Sequence, residues 1–203
     1  MHLEAAITNV LLLWMLTVPH EFAHAWAATR LGDETPRLDG RVTLYPMAHV
    51  DWLGTIILPF LTSLFAGGFL GWGKPVRTNP AALRGGVNGL ALVALAGPAS
   101  NIVLAFLLLV VARLLVTLAP PAASFAAHGA QLSLYLALFN LLPVPPLDGS
   151  RLLLVARLPA VVYQELARFG FLLLVVAISV SDLGQWLWVW SSRGAALMFT
   201  LLR

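Results

Sequence analysis

His20-Glu21-Phe22-Ala23-His24 gathers two imidazoles and a carboxylate within five residues. On a helix, positions i and i+4 share a face, so His20 and His24 can chelate one zinc ion. Glu21, one residue on from His20, lies beside that metal as a candidate general base. The setting makes such residues costly, because the run from Ala5 to Leu31 is otherwise almost wholly apolar. A charged residue at the bilayer centre costs roughly 2.5–3.5 kcal/mol on insertion scales. A bound metal is the compensating partner that this spacing suggests.

A catalytic zinc usually takes three protein ligands and keeps one position for water. The other strongly polar interruption of an apolar stretch runs from Asn140 to Asp148. Its Pro143, Pro145 and Pro146 cannot continue a helix and leave carbonyls without partners within it. At membrane depth, such backbone is tolerated only where protein buries it or where it lines a wet cavity. Asp148, next to flexible Gly149, is the best candidate for the third ligand. It can equally cap a short helix beginning at Ser150, and the need for a carboxylate favours ligation. Asn140, one turn before the break, can donate its amide N–H to a substrate carbonyl or cap the broken end.

Composition sets the class of scaffold. Of 203 residues, 60% are hydrophobic and 10% charged. Soluble domains carry about 25% charged residues, so this is an integral membrane protein. The net charge of +3 comes from few charges and does not suggest nucleic-acid binding. There is no cysteine, which excludes disulfides, thiolate metal sites and cysteine catalysis. The first apolar segment has no basic leader, so it is expected to stay as a mature helix.

The hydrophobic runs predict an all-α polytopic protein of about five to six transmembrane helices around an intramembrane zinc site. The first helix spans about 3–31, the second 52–70 and the third 87–118. A fourth starts near His128, breaks at Pro143 and resumes over 150–158. Two C-terminal helices follow, at 160–180 and 183–202; the last contains Ser191-Ser192-Arg193-Gly194 at its middle. The chain reads as one domain, with a core of about 3–158 and C-terminal helices at 160–203. Pro19, just before His20, is expected to kink the first helix, and Pro120-Pro121 to break the third. Between Arg37 and Tyr45, alternating residues flank Asp39-Gly40, a hairpin signal that predicts a small β-hairpin.

Taken together, these residues make the chain resemble the site-2 protease family of intramembrane zinc metalloproteases. His20-Glu21-Phe22-Ala23-His24 and Asn140-Leu141-Leu142-Pro143-Val144-Pro145-Pro146-Leu147-Asp148-Gly149 carry the resemblance. His49-Val50-Asp51 with Gly54-Thr55, Gly71-Trp72-Gly73-Lys74-Pro75-Val76, and Ala96-Gly97-Pro98-Ala99-Ser100-Asn101 add to it, in the family's order. Trp52 departs from the proline that commonly follows His-Val-Asp. The chain resembles minimal members, without PDZ or CBS domains. The resemblance implies His20, His24 and Asp148 as ligands of one Zn2+, Glu21 as catalytic base, and cleavage of transmembrane segments in regulated intramembrane proteolysis.

Further candidate residues are weaker in pattern. His49 is a candidate extra donor, or a structural histidine. Asn101 is a candidate hydrogen-bond partner near the ligands, while Gly97 and Ala99 suit close helix packing. Val42 and Leu44, on the expected hairpin, would hold an unwound substrate as an added strand. The partners expected are transmembrane protein substrates and the lipid bilayer, with no nucleic acid; a regulatory membrane partner or a homo-oligomer is a further candidate. The location expected is a prokaryotic cell membrane, crossed several times. The competing reading is a non-hydrolytic metal-binding or metal-transport protein. A transporter needs graded sites along a path, yet His2, His49 and His128 are not joined by further carboxylates in apolar segments.

Overall fold

A computed structural model describes residues 2–66 and 71–202. Its regular elements are helices: α1 (His2–Arg30), α2 (Thr35–Leu38), α3 (Leu58–Leu61), α4 (Gly86–Leu115), α5 (Pro120–Asn140), α6 (Leu152–Val155), α7 (Ala160–Val180) and α8 (Leu183–Leu201). Two compact units divide the chain, Met1–Gly97 and Pro98–Arg203, and their boundary falls within α4. Four described helices are long and apolar enough to cross a membrane: 6–30, 86–115, 120–140 and 160–180. These four are counted by length and composition among the described residues, against the five to six expected. α8 carries its polar Ser191 to Gly194 stretch without a break, and the helical stretch over 52–65 is shorter than a span.

In the first unit, α1 runs unbroken through Pro19. Its buried stripe includes Leu12, Leu13, Leu16, Thr17, His20, Glu21, His24, Ala25 and Ala28. The chain then turns at Gly32, whose φ of +105° lies where L side chains are strained.

No strand occurs among the described residues, and the expected hairpin is a helix end instead. Pro36 in the first turn of α2 favours helix, its fixed φ being ready-made for that position. Gly40, at φ +66°, then closes the helix. Arg41 N–H donates to the Pro36 carbonyl at 2.8 Å and Gly40 N–H to that of Arg37 at 3.0 Å, the paired bonds of a Schellman motif. Asp-Gly serves equally well as a helix stop, and here the proline three residues upstream decides. Val42 and Leu44 therefore lie in irregular chain, Val42 half-buried and Leu44 exposed.

The second expected helix is also altered. Wide π-helical turns at Trp52–Ile57 and Thr62–Ala66 flank α3. Pro59 supplies no N–H to the Thr55 carbonyl. The Gly54 carbonyl is taken by Trp72 N–H at 2.9 Å. Asp51 caps the segment, accepting from Gly54 N–H at 2.7 Å. Residue 66 is the last described there, so the end expected at Leu70 lies outside the described residues.

In the second unit, α5 starts at Pro120, earlier than expected, because proline is favoured rather than disruptive in a first turn. Ala105 and Leu109 pack with Ala130 and Leu134, joined by Met198 and Phe199 of α8. α7 buries only 11% of its most apolar window, exposing Phe171, Leu172, Val176 and Val180. A helix apolar on its outer side is what a lipid-facing position requires.

Candidate metal centre

The pair on α1 is built from an uninterrupted helix. His20 and His24 are both buried, and their Nε2 atoms stand 3.0 Å apart. The rings meet edge to face, with centroids 4.7 Å apart and planes at 84°. His24 Nδ1 lies 2.7 Å from the Val93 carbonyl on α4. A carbonyl only accepts, so Nδ1 carries the proton and Nε2 keeps its lone pair on the side of His20. Two nitrogens bound at about 2.0–2.1 Å to one tetrahedral ion stand roughly 3.3 Å apart, close to the spacing seen.

Gly97 makes room for these rings. A Cβ there would come within 2.3 Å of His24 Nε2 and 2.7 Å of His20 Cε1. Any larger residue at 97 would crowd both imidazoles. The donor set, the fixed tautomer and this cradle together fit a zinc ion.

Glu21 lies alongside. Val76 N–H donates to its Oε2 at 3.2 Å, and Arg41 Nη2 stands 4.0 Å from the same oxygen. Residues 71–79 have no regular secondary structure and are tied down by a series of bonds. Trp72 N–H donates to the Gly54 carbonyl and Lys74 N–H to that of His49, each at 2.9 Å. Asn79 N–H donates to buried Asp33 at 2.6 Å, and Arg77 makes a two-pronged exposed pair with Asp39 at 2.8 and 2.5 Å. The guanidinium beside Asp39 holds that carboxyl below its usual range. Gly73 lies against Glu21 and Thr17, where a Cβ would be 3.3 Å from atoms of both.

His49 is fully buried. Its Nε2 is 2.7 Å from the Thr43 carbonyl, so that nitrogen is the donor. Its Nδ1 faces Arg41 Nη2 at 3.4 Å as acceptor, the neutral tautomer that suits a neighbouring cation. Burial is the main cause that holds this imidazole below its ordinary pKa, and Arg41 adds to it. In the sequence Arg41 reads as one more basic loop residue. No local pattern marks it; its role comes from distant partners.

In the second unit, Asp148 opens a 3-10 turn, Asp148–Arg151, just after the proline break. Leu147, extended at ψ 154°, holds the position before it. Regular helix resumes only at Leu152, so the short helix does not begin at Ser150. Ser150 Oγ donates back to the Leu147 carbonyl at 2.7 Å, and Leu147 N–H to that of Val144 at 3.0 Å, which locks the turn. Gly149 is obligatory there, since a Cβ would sit 2.2 Å from the Leu141 carbonyl oxygen. Asn140, half-buried at the end of α5, donates one amide N–H to the Leu136 carbonyl at 2.9 Å. Asn101 is buried, and its backbone carbonyl accepts from Ser133 Oγ at 2.8 Å.

Known proteins with similar sequence share one description. The chain is 37% identical over 186 residues to the Bacillus subtilis protein named "Putative zinc metalloprotease YwhC", covering 86% of this chain and 81% of that one. It is 33% identical over 182 residues to "Putative zinc metalloprotease Rip2" of Mycolicibacterium smegmatis, covering 85% and 67%. With Rip2 of Mycobacterium tuberculosis it shares 37% over 143 residues, covering 67% and 52%. No protein-family model and no solved structure matches the chain.

Proposed function

Because the chain belongs to the site-2 protease family of zinc metalloproteases, we propose that it is a zinc-dependent endopeptidase cleaving peptide bonds within transmembrane segments of other membrane proteins. The observation that carries this reading is the facing Nε2 pair of His20 and His24, 3.0 Å apart on a buried helix face with Glu21 beside it. Asp148 is the proposed third ligand, its carboxylate completing the set that a catalytic zinc needs. When bound, zinc supplies a Lewis acid that polarises a carbonyl and brings the pKa of water toward ~7.

The remaining chemistry falls to the chain's own groups. Glu21 takes a proton from the attacking water and returns it to the leaving amine. The Val76 N–H fixes one of its oxygens, so the carboxylate approaches from a constant direction. Asn140 has a second amide N–H that serves as a donor to the developing oxyanion. Water needed for hydrolysis reaches this depth through the non-helical backbone around Pro143 to Asp148. The proposed setting is a bacterial cell membrane, with substrate helices arriving laterally from the bilayer.

The test is cleavage of a transmembrane peptide in vesicles by purified wild type and Glu21→Gln. Removing a general base should cost about 10²–10⁴-fold in turnover, with zinc content unchanged. Equal turnover by the two proteins would refute the assignment.

A further inference from the structure

Arg41 lies outside both the His20–His24 and the Asn140–Gly149 motifs. Arg41 is 5% exposed, an unusual state for a residue that stays charged. Nη2 alone serves three neighbours: it donates to the Lys74 carbonyl, faces His49 Nδ1 at 3.4 Å and stands 4.0 Å from Glu21 Oε2. Arg41 thus joins the chain at 74, a fully buried histidine and the candidate base. Lys74 is two residues from Val76, whose N–H holds that same Glu21 oxygen.

We infer that Arg41 is a positioning residue for the reaction, fixing the Glu21 carboxylate and the 72–76 segment in one arrangement through a single guanidinium. Neutral His49 serves as its backstop. The Nε2–H of His49 is committed to Thr43, so only a lone pair faces Arg41, and a cation can be held there without repulsion. Lysine would keep the charge and three donors on one nitrogen, but its ammonium is compact and its stem flexible where the guanidinium is planar and rigid, so it would hold the three neighbours less firmly. Burying this charge next to a carboxylate is understandable if Glu21 must keep one orientation. A loop anchor alone would be served by a neutral donor.

The catalytic part of this inference rests on the protease reading; the anchoring part does not. Purified full-length wild type, Arg41→Gln and Arg41→Lys would be compared in zinc content, hydrogen exchange over residues 72–76, and kcat and KM on a transmembrane peptide. For Arg41→Gln, zinc stays near the wild-type level and exchange at 72–76 rises more than about tenfold, since the Nη2 bond to the Lys74 carbonyl is gone. Its kcat falls about 10²-fold, the scale of a small misplacement of a reacting group, with KM within about twofold. Arg41→Lys recovers part of kcat. Unchanged exchange in a folded Arg41→Gln protein overturns the anchoring. A kcat within about threefold of wild type, or a loss matched by loss of zinc in both variants, overturns the positioning role. Wild type that fails to cleave, with exchange altered as stated, would count against the protease reading and leave the anchoring supported.

Discussion

The helix that bears the histidines and the broken chain that bears Asp148 place polar groups inside apolar sequence by opposite means. α1 stays regular, passing through Pro19, and lets the helical period bring His20 and His24 to one face. The segment after α5 abandons the helix, and a proline-rich turn closed by Ser150 delivers one carboxylate. An intact helix can orient two ligands cheaply, because i and i+4 already coincide. A carboxylate carried on a proline-broken chain needs a backbone that turns, with its own carbonyls satisfied locally.

The glycines of the two regions make that difference measurable. Gly149→Ala should have the largest effect, since the new Cβ meets the Leu141 and Leu142 carbonyl oxygens at 2.2 and 2.7 Å, and backbone cannot step aside. We expect a loss of more than the 1–3 kcal/mol usual for overpacking, seen as poor yield or a much lower unfolding midpoint. Gly97→Ala meets side chains instead, the imidazoles of His24 and His20. Its fold should survive while zinc affinity drops about 10–100-fold, as when groups that orient ligands are disturbed. If Gly97→Ala unfolds the protein and Gly149→Ala only lowers zinc affinity, the contrast is wrong.

A smaller effect should appear with acid. His49 is held neutral by burial and by Arg41, so its folded pKa lies below the ordinary 6.5. Its contribution to stability is therefore complete above about pH 6.5 and is lost as pH falls through the folded value. The groups facing it are Arg41, the Thr43 carbonyl and, further off, Glu21. The unfolding midpoint should decline below pH 6.5 in wild type and less steeply in His49→Asn. Parallel curves would remove His49 from the account.

Much of the candidate site was legible because its residues sit in local patterns. HExxH reads directly as two donors and a base, and three prolines announce a break in any apolar run. The hairpin was misread because Asp39-Gly40 is compatible with both a strand turn and a helix stop. Only the helix-favouring Pro36 and the bonds to the Pro36 and Arg37 carbonyls distinguish them. The regular second helix was lost to Pro59 and to the Trp72 N–H, a partner 18 residues from Gly54 that no local window contains. Arg41 and Val93 were invisible for the same reason. Their partners are distant in sequence, and neither residue type is unusual where it stands.

The central claim is that the two polar regions supply one zinc site. The direct measurement is zinc per chain in Asp148→Ala, purified and dialysed beside wild type against a weak chelator. The account predicts one zinc per wild-type chain and nearly none in the folded variant, since two histidines alone leave the ion short of its usual three protein ligands. One zinc per chain retained by folded Asp148→Ala would contradict it.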